Sequence, residues 1–331
     1  MSHREVAEDE VGFRPAHGIA NPHLQTILAY GLGSRRRSPA KAEVWPLSDG
    51  ESLDVVVLPV RPSAPCVLVL HGLEGSARAP YVRGLLAGVA ARGWNGVAVS
   101  FPSCGPTPSP QGRLYHSGRT EGLAEVLTLI RRRHPEVPVG AVGFSMGGNI
   151  LLKWLGEEGA LASLVGAVGV SVPFDLGVCA ARLDGPGFFS FIYRERFLRS
   201  LRRKALQRLA GHGGPFSREE VTAVRSFAGF DEVVTARVFG FASARDYWQR
   251  NSSAAFLARV TVPTLAIAAA DDPFVPASAI PHAAFAANPA LALALSERGG
   301  HVGFLSGSLL GPRFWAEEKA LAFLARRFAA A

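Results

Sequence analysis

Gly143-Phe144-Ser145-Met146-Gly147 is the stretch that decides the fold. It ends an apolar run, residues 138–142, that reads as a strand, and it opens a helical pattern over 146–157. A Gly-x-Ser-x-Gly between a strand and a helix puts its serine on a strained turn, with Oγ facing out from the sheet edge at a helix N-terminus. Gly143 and Gly147, two residues before and after, let the neighbouring backbones approach closely. Without that setting the pentapeptide is a Gly-rich turn with an incidental serine. Within it, Ser145 is the candidate nucleophile.

Outward from this point the chain keeps alternating. Strand patterns fall at 42–47, 53–58, 66–70, 97–101, 138–144, 164–172, 264–269 and 291–295, and helical patterns at 81–92, 120–134, 146–157, 277–287 and 312–330. The middle strands are nearly continuous apolar, as strands buried on both faces require. Strands alternating with helices of this length predict βαβ units in a mostly parallel sheet. Two stretches break the pattern. Residues 1–40 have no clear period and contain Arg35-Arg36-Arg37. Residues 174–258 are Phe- and Arg-rich and mostly helical, and lie between two core strands. An insertion there is expected to cap the carboxyl edge, where open α/β sheets bind ligands. The expectation is one domain over 1–331, with an N-terminal arm (1–40) and a helical cap (174–258).

Composition narrows the classes. At 48% hydrophobic and 19% charged, the 331 residues are too apolar for a disordered chain. Cys66, Cys104 and Cys179 are too few for a disulfide scaffold and lack metal-ligand spacing, and no cofactor is called for. The net charge of +8 comes almost wholly from arginine, lysine standing only at 41, 153, 204 and 319. No groove-reading motif accompanies it, so nucleic acid is not an expected partner. The longest weakly polar run, 160–174, holds Ser163, Ser171 and Pro173 and falls short of the roughly 20 residues a membrane span needs. The opening MSHREVAEDEVG carries charges where a signal peptide needs an apolar core, which makes a cytoplasmic location the expectation.

A serine hydroxyl is a weak nucleophile until a base takes its proton, and the base needs an acid to orient it. In sheets of this kind the chain order is Ser, then Asp or Glu, then His. Three histidines follow Ser145. His212 lies in the insertion and His282 inside a predicted helix. His301, in Gly299-Gly300-His301-Val302-Gly303, follows the last core strand and is the candidate base. Asp271 and Asp272 end the preceding strand. Asp272-Pro273-Phe274-Val275-Pro276 has the Asp-x-x-Val-Pro form common in these loops, which favours Asp272, while Asp271 serves equally well as a turn cap. The oxyanion needs two backbone N–H donors. Met146 offers one, and Leu73 the other, in the loop His71-Gly72-Leu73-Glu74-Gly75. Gly72 permits the turn, and His71 is read as shaping the loop.

These segments, with Asn21-Pro22-His23-Leu24-Gln25-Thr26, Tyr115-His116-Ser117-Gly118, residues 143–152 and Gly299 to Phe304, resemble the α/β-hydrolase superfamily. Within it they are similar to the bacterial YheT-type esterases related to the eukaryotic ABHD1/ABHD3 group. The resemblance runs over nearly the whole chain. It implies an eight-stranded α/β-hydrolase fold with a Ser145, Asp272, His301 triad, and hydrolysis of carboxylic esters, lipid or medium-chain acyl substrates among them. It also matches the insertion at Asp231, Thr235-Ala236 and Asp246-Tyr247. One departure is Gly122, where the family pattern has an acidic pair beginning near Glu121. His23 and His116 are read as structural.

One basic-aromatic cluster remains, residues 188–209. Leu198, Leu201, Ala205 and Leu209 share a helical face with Phe191, and Arg196, Arg199, Arg202 and Arg203 lie on or near the other. The plain expectation is a cap helix burying its apolar face, its arginines solvated. The alternative is peripheral membrane contact through Arg196 to Arg203. The expected activity is a serine carboxylesterase acting through an acyl-enzyme on a small-molecule or lipid ester. A phospholipase or acyltransferase uses the same residues, and an idle hydrolase fold that binds lipid or a partner is the remoter alternative.

Overall fold

The computed structural model describes residues 12–33, 36–308 and 310–331. The opening stretch 1–11 and Arg35 lie outside the described residues. Eight strands form one sheet: β1 (Lys41–Pro46), β2 (Ser52–Val57), β3 (Cys66–Leu70), β4 (Asn95–Val99), β5 (Val139–Phe144), β6 (Gly166–Val170), β7 (Thr264–Ala269) and β8 (Leu291–Ser296). Their order is β1-β2-β4-β3-β5-β6-β7-β8. β1, β2 and β4 pair antiparallel, and every later pairing is parallel.

The near-continuous apolar strands are buried on both faces. Leu68 and Leu70 of β3 join the core under helices α3 (Leu123–Arg133) and α4 (Met146–Glu158). Val67 and Val69 join the core under α2 (Pro80–Ala91) and α11 (Trp315–Phe328). The strand period of two sorts neighbouring residues between these two layers. α4 takes the position after β5 that the Gly143–Gly147 stretch predicts.

Several elements differ from expectation. Residues 1–40 contain a helix, α1 (Pro22–Gly33), whose N-terminus is capped by Asn21: its Oδ1 accepts the N–H groups of His23 (2.9 Å) and Leu24 (3.2 Å). Asn followed by Pro is a helix-start signal, but the helix is almost wholly uncharged and lacks the apolar-polar contrast that betrays a surface helix. β4 begins at Asn95, earlier than the 97–101 pattern, because the Asn95 side chain ties the strand's start to the turn before β3 through Arg61 and Ala64. The 277–287 pattern is not one helix: a 3₁₀ turn, Ala277–Ala279, precedes α10 (His282–Ala287), since Pro281 cannot donate to a continuous ladder. The 312–330 pattern starts as β10 (Pro312–Phe314), paired antiparallel with β9 (Leu305–Gly307), before α11.

Between β6 and β7 the chain is helical: α5 (Leu176–Asp184), α6 (Phe188–His212), α7 (Arg218–Ala223), α8 (Phe227–Phe230), a π-helical turn Asp231–Ala236, and α9 (Ala244–Asn251). α6 buries Leu198 and Ala205 against Leu114, Phe216 and Val224, as its period predicts. Phe191 does not share that burial. It is 54% exposed, because the first turns of α6 bury Tyr193 against Phe274 instead and turn Phe191 outward. Among the described residues no helix is long and apolar enough to cross a membrane.

Candidate active site

β3, β5, β7 and β8 all end at one edge of the sheet, and each sends a loop into the same space. Ser145 sits directly after β5 with φ 50° and ψ −121°, a region that costs a non-glycine residue on the order of 1–3 kcal/mol. The strain is held from both sides. Ser145 N–H donates to Val170 O (2.8 Å), and the amides of Gly148 and Asn149 donate back to Ser145 O. Close approach explains the flanking glycines. A Cβ on Gly147 would stand 2.5 Å from His71 O, and one on Gly143 2.5 Å from Gly147 O.

The loop after β8 brings His301 to Ser145. His301 Nε2 is 2.9 Å from Ser145 Oγ, and its Nδ1 is 2.8 and 3.1 Å from the two oxygens of Asp272. Asp272 Oδ1 also accepts the N–H groups of Phe274 (2.8 Å) and Val275 (3.0 Å), which lock the carboxylate toward the ring. Asp271 takes the other role considered for it. Its Oδ1 accepts Gly300 N–H (2.9 Å), and partial burial raises its pKa above the usual carboxylate value. His212 ends α6 and His282 opens α10; neither enters these contacts.

The His71–Gly75 loop lies against the same serine. The amides of Gly72, Glu74 and Gly75 are taken up by Tyr81 Oη (2.9 Å), Tyr115 Oη (3.0 Å) and Gly72 O (3.0 Å), and Leu73 N–H is not among these bonded donors. Leu73 and Met146 both line the cavity in front of Ser145. Met146 is the first residue of α4, where backbone N–H groups have no partner within the helix. His71 is fully buried; its Nδ1 is 2.7 Å from Gly72 O and its Nε2 accepts Phe101 N–H (3.0 Å). Burial brings its pKa down to about 4 and keeps it neutral, so it shapes the loop. His116, buried against Phe239, Phe241 and Tyr247, is lowered to about 3 for the same reason. Gly122 has φ 92° at the N-terminus of α3, a conformation that an acidic residue would resist.

Four side chains support the site in ways that no motif assigned to them. Thr26 Oγ1 on α1 accepts the His301 N–H (2.9 Å). Beside it, the fully buried Gln25 bonds Leu305 twice, Nε2 to O (3.1 Å) and N to Oε1 (2.7 Å), and so staples the His301 loop to α1. Gly300, at φ 63°, lies so close to α1 that a Cβ there would be 2.4 Å from Pro22 O. Ser171, just past β6, accepts Val302 N–H (3.0 Å). Lys204 reaches from α6 to Glu74 (2.7 Å), which also receives Tyr115 Oη.

The cavity in front of Ser145 measures about 430 Å³. Leu176, Ala180, Leu183, Phe197, Phe227 and Phe274 give it apolar walls, largely from the β6–β7 excursion. Two acids also line it, Glu74, held by Lys204 and Tyr115, and Asp231. Asp231 accepts Trp248 Nε1–H (2.8 Å) and Thr235 Oγ1–H (2.7 Å), and burial pushes its carboxyl up to about 6. Among the described residues no group of three or more His, Cys, Asp or Glu side chains could hold a metal ion.

The family model for the alpha/beta hydrolase fold matches residues 65–308, from the start of β3 to past the His301 loop. The chain belongs to the α/β-hydrolase family. This α/β hydrolase is 37% identical to the Escherichia coli (strain K12) protein named "Putative esterase YheT", over 93% of this chain and 91% of that one. It is 30% identical to the mouse (Mus musculus) protein named "Phospholipase ABHD3", over 73% of this chain and 59% of that one. Among solved structures, the Pyrococcus furiosus esterase Pf2001 shares the fold at TM-score 0.59 and 16% identity, covering 97% of this chain and 99% of that one.

Proposed function

We propose that this α/β hydrolase is a serine carboxylesterase that works through an acyl-enzyme on short- to medium-chain acyl esters. The observation that carries it is the continuous hydrogen-bonded line from Ser145 Oγ through His301 to Asp272. His301 Nε2 takes the hydroxyl proton as Oγ attacks the acyl carbonyl carbon. Asp272 holds the ring and stabilises the imidazolium. The N–H groups of Leu73 and Met146 bind the developing oxyanion, an interaction whose loss typically slows a reaction by about 10²- to 10³-fold. Collapse of the tetrahedral species breaks the ester C–O bond, and His301 returns the proton to the leaving alcohol. Water then attacks the acyl-enzyme by the same route and releases the acid. In this reading the β6–β7 excursion is a cap whose apolar side chains receive the acyl chain.

The test is hydrolysis of nitrophenyl acyl esters of graded chain length by wild type and Ser145→Ala, together with labelling by a fluorophosphonate probe. The expected loss is on the order of 10⁶-fold, as where a nucleophile and base act as one unit. Equal rates for the two proteins, or a Ser145 that the probe leaves unmodified, overturns the reading. The apolar walls, with the likeness to a protein named a phospholipase, favour one second reading: the acyl group comes from a lipid, and an alcohol can replace water as acceptor. Product analysis with lipid substrates and added alcohol separates the two.

A further inference from the structure

Water-exposed α1 is an anomaly. No charged residue occurs in its described sequence, yet Leu24, Ile27 and Tyr30 are 44%, 48% and 46% exposed along one arc of its surface. The first turn of α6 lies beside it, for His23 stacks on Phe189 with ring centroids 3.8 Å apart and its Nδ1 is 3.1 Å from Tyr193 Oη. That turn exposes Phe188, Phe191 and Ile192, at the spacing of one helical face, with Phe188 72% exposed. Two helices therefore present six large apolar side chains together, a grouping that isolated surface residues do not produce.

Arginines bracket this surface. Arg196 stacks over the Tyr30 ring, its guanidinium carbon 5.6 Å from the centroid, and Arg182 stands near His23, whose pKa is lowered first by burial and then by that charge. Both are exposed, and neither has a carboxylate partner among the described residues. Ile27, Tyr30 and Arg196 also line the cavity that holds Ser145, so the cavity opens onto this surface. Apolar side chains flanked by unpaired arginines match a membrane interface with anionic headgroups: the rings enter the acyl boundary while the guanidinium groups meet phosphate.

We infer that the exposed faces of α1 and the first turn of α6 form a docking surface for an anionic lipid bilayer, on which the mouth of the Ser145 cavity rests. The contact is centred on the start of α6 with Arg196 at its margin; further along the helix Arg202 is engaged with Glu195 and Val224 O, and Lys204 with Glu74.

The test is co-sedimentation of the full chain with vesicles of phosphatidylcholine alone and of phosphatidylcholine mixed with phosphatidylglycerol. Wild type should pellet with the mixed vesicles and lose that binding in high salt. Phe188→Ser with Phe191→Ser should weaken binding at least about tenfold, since two large apolar groups no longer leave water. Arg182→Ala should weaken it about fivefold on mixed vesicles and leave phosphatidylcholine binding unchanged. None of these side chains lines the cavity, so hydrolysis of a soluble nitrophenyl ester should stay at the wild-type rate, which also shows that each variant is folded. Leu24→Ser gives an independent variant on α1. Wild type that stays in the supernatant, or variants that bind as wild type does, overturns the inference. So does a wild-type dimer that Phe188→Ser converts to monomer, which assigns the surface to a second copy. Vesicle binding does not depend on turnover, so a failed lipid contact is distinguishable from a failed esterase.

Discussion

Lys204 Nζ lies 2.7 Å from Glu74 Oε1, and the two side chains are only 11% and 8% exposed. This buried pair joins α6 of the inter-strand excursion to the loop that carries Leu73. Removing one partner of such a pair leaves the other charge without compensation and typically costs about 3–5 kcal/mol, whereas replacing both by apolar groups is often neutral. Lys204→Met should lower Tm markedly and reduce kcat on an acyl ester. The double variant Lys204→Met with Glu74→Leu should recover most of the Tm. Thermal melts of the three proteins check this, and a double variant less stable than Lys204→Met alone contradicts it.

Asp272 is fixed by two backbone amides and faces His301 Nδ1. Asp272→Asn keeps the shape but turns an acceptor into a donor at the ring, favouring the wrong tautomer. The expected fall in kcat is on the order of 10⁴-fold with little change in stability. Steady-state kinetics beside a melting curve tests both halves.

Thr26 acts on the base only through the His301 backbone. Thr26→Val keeps the volume but removes the acceptor for that N–H. About tenfold should be lost from kcat with a smaller change in KM, because Val keeps the shape of the wall that Thr26 contributes to the cavity while the ring's placement loosens. Gln25→Ala is harsher. It strips both bonds to Leu305 and leaves a buried N–H unpaired, at a cost of about 1–3 kcal/mol before any cavity is counted. A Tm drop for Gln25→Ala larger than that for Thr26→Val is the expected ranking.

His116 is held neutral by burial, its pKa brought from 6.5 down to about 3. A depressed folded value means that the unfolded chain gains a proton first on acidification. Stability from His116 is therefore complete above pH 6.5 and falls as the pH drops toward 3, by up to about 1.4 kcal/mol per pH unit. Glu317 and Asp231, pushed up to about 7 and about 6, pull the other way in part of that window. The difference between wild type and His116→Asn isolates the histidine. It should flatten above pH 6.5 and slope below it in urea titrations across the range.

How much was readable in advance follows from how local each signal is. All eight sheet strands came from hydrophobic runs, and Ser145, Asp272 and His301 from short motifs at strand ends, because a turn's geometry is written in neighbouring residues. α1 was not, since an uncharged helix shows no polar face against which to read its period. The short β9–β10 pair and the break at Pro281 were hidden inside helical patterns. Gln25 and Thr26 stood in a segment that carries the resemblance but were given no role, and Ser171 and Lys204 were in no motif, for another reason: each acts on a loop far away in the chain, and nothing beside it announces the partner. Asp231 was noted only as part of a resemblance; its place in the cavity depends on the fold of the whole excursion.

The clasp between α1 and the His301 loop spans 280 positions at Gln25 and Leu305. The Ser145–His301 contact closes over 156. During synthesis, the elbow, its helix and the amides around it can assemble while His301, the base of the proposed mechanism, has yet to leave the ribosome. α1 is made long before the loop it clasps. On the proposed mechanism, a chain still short of His301 displays Ser145 with no base beside it, and reactivity arrives in one step when α1 and the His301 loop meet.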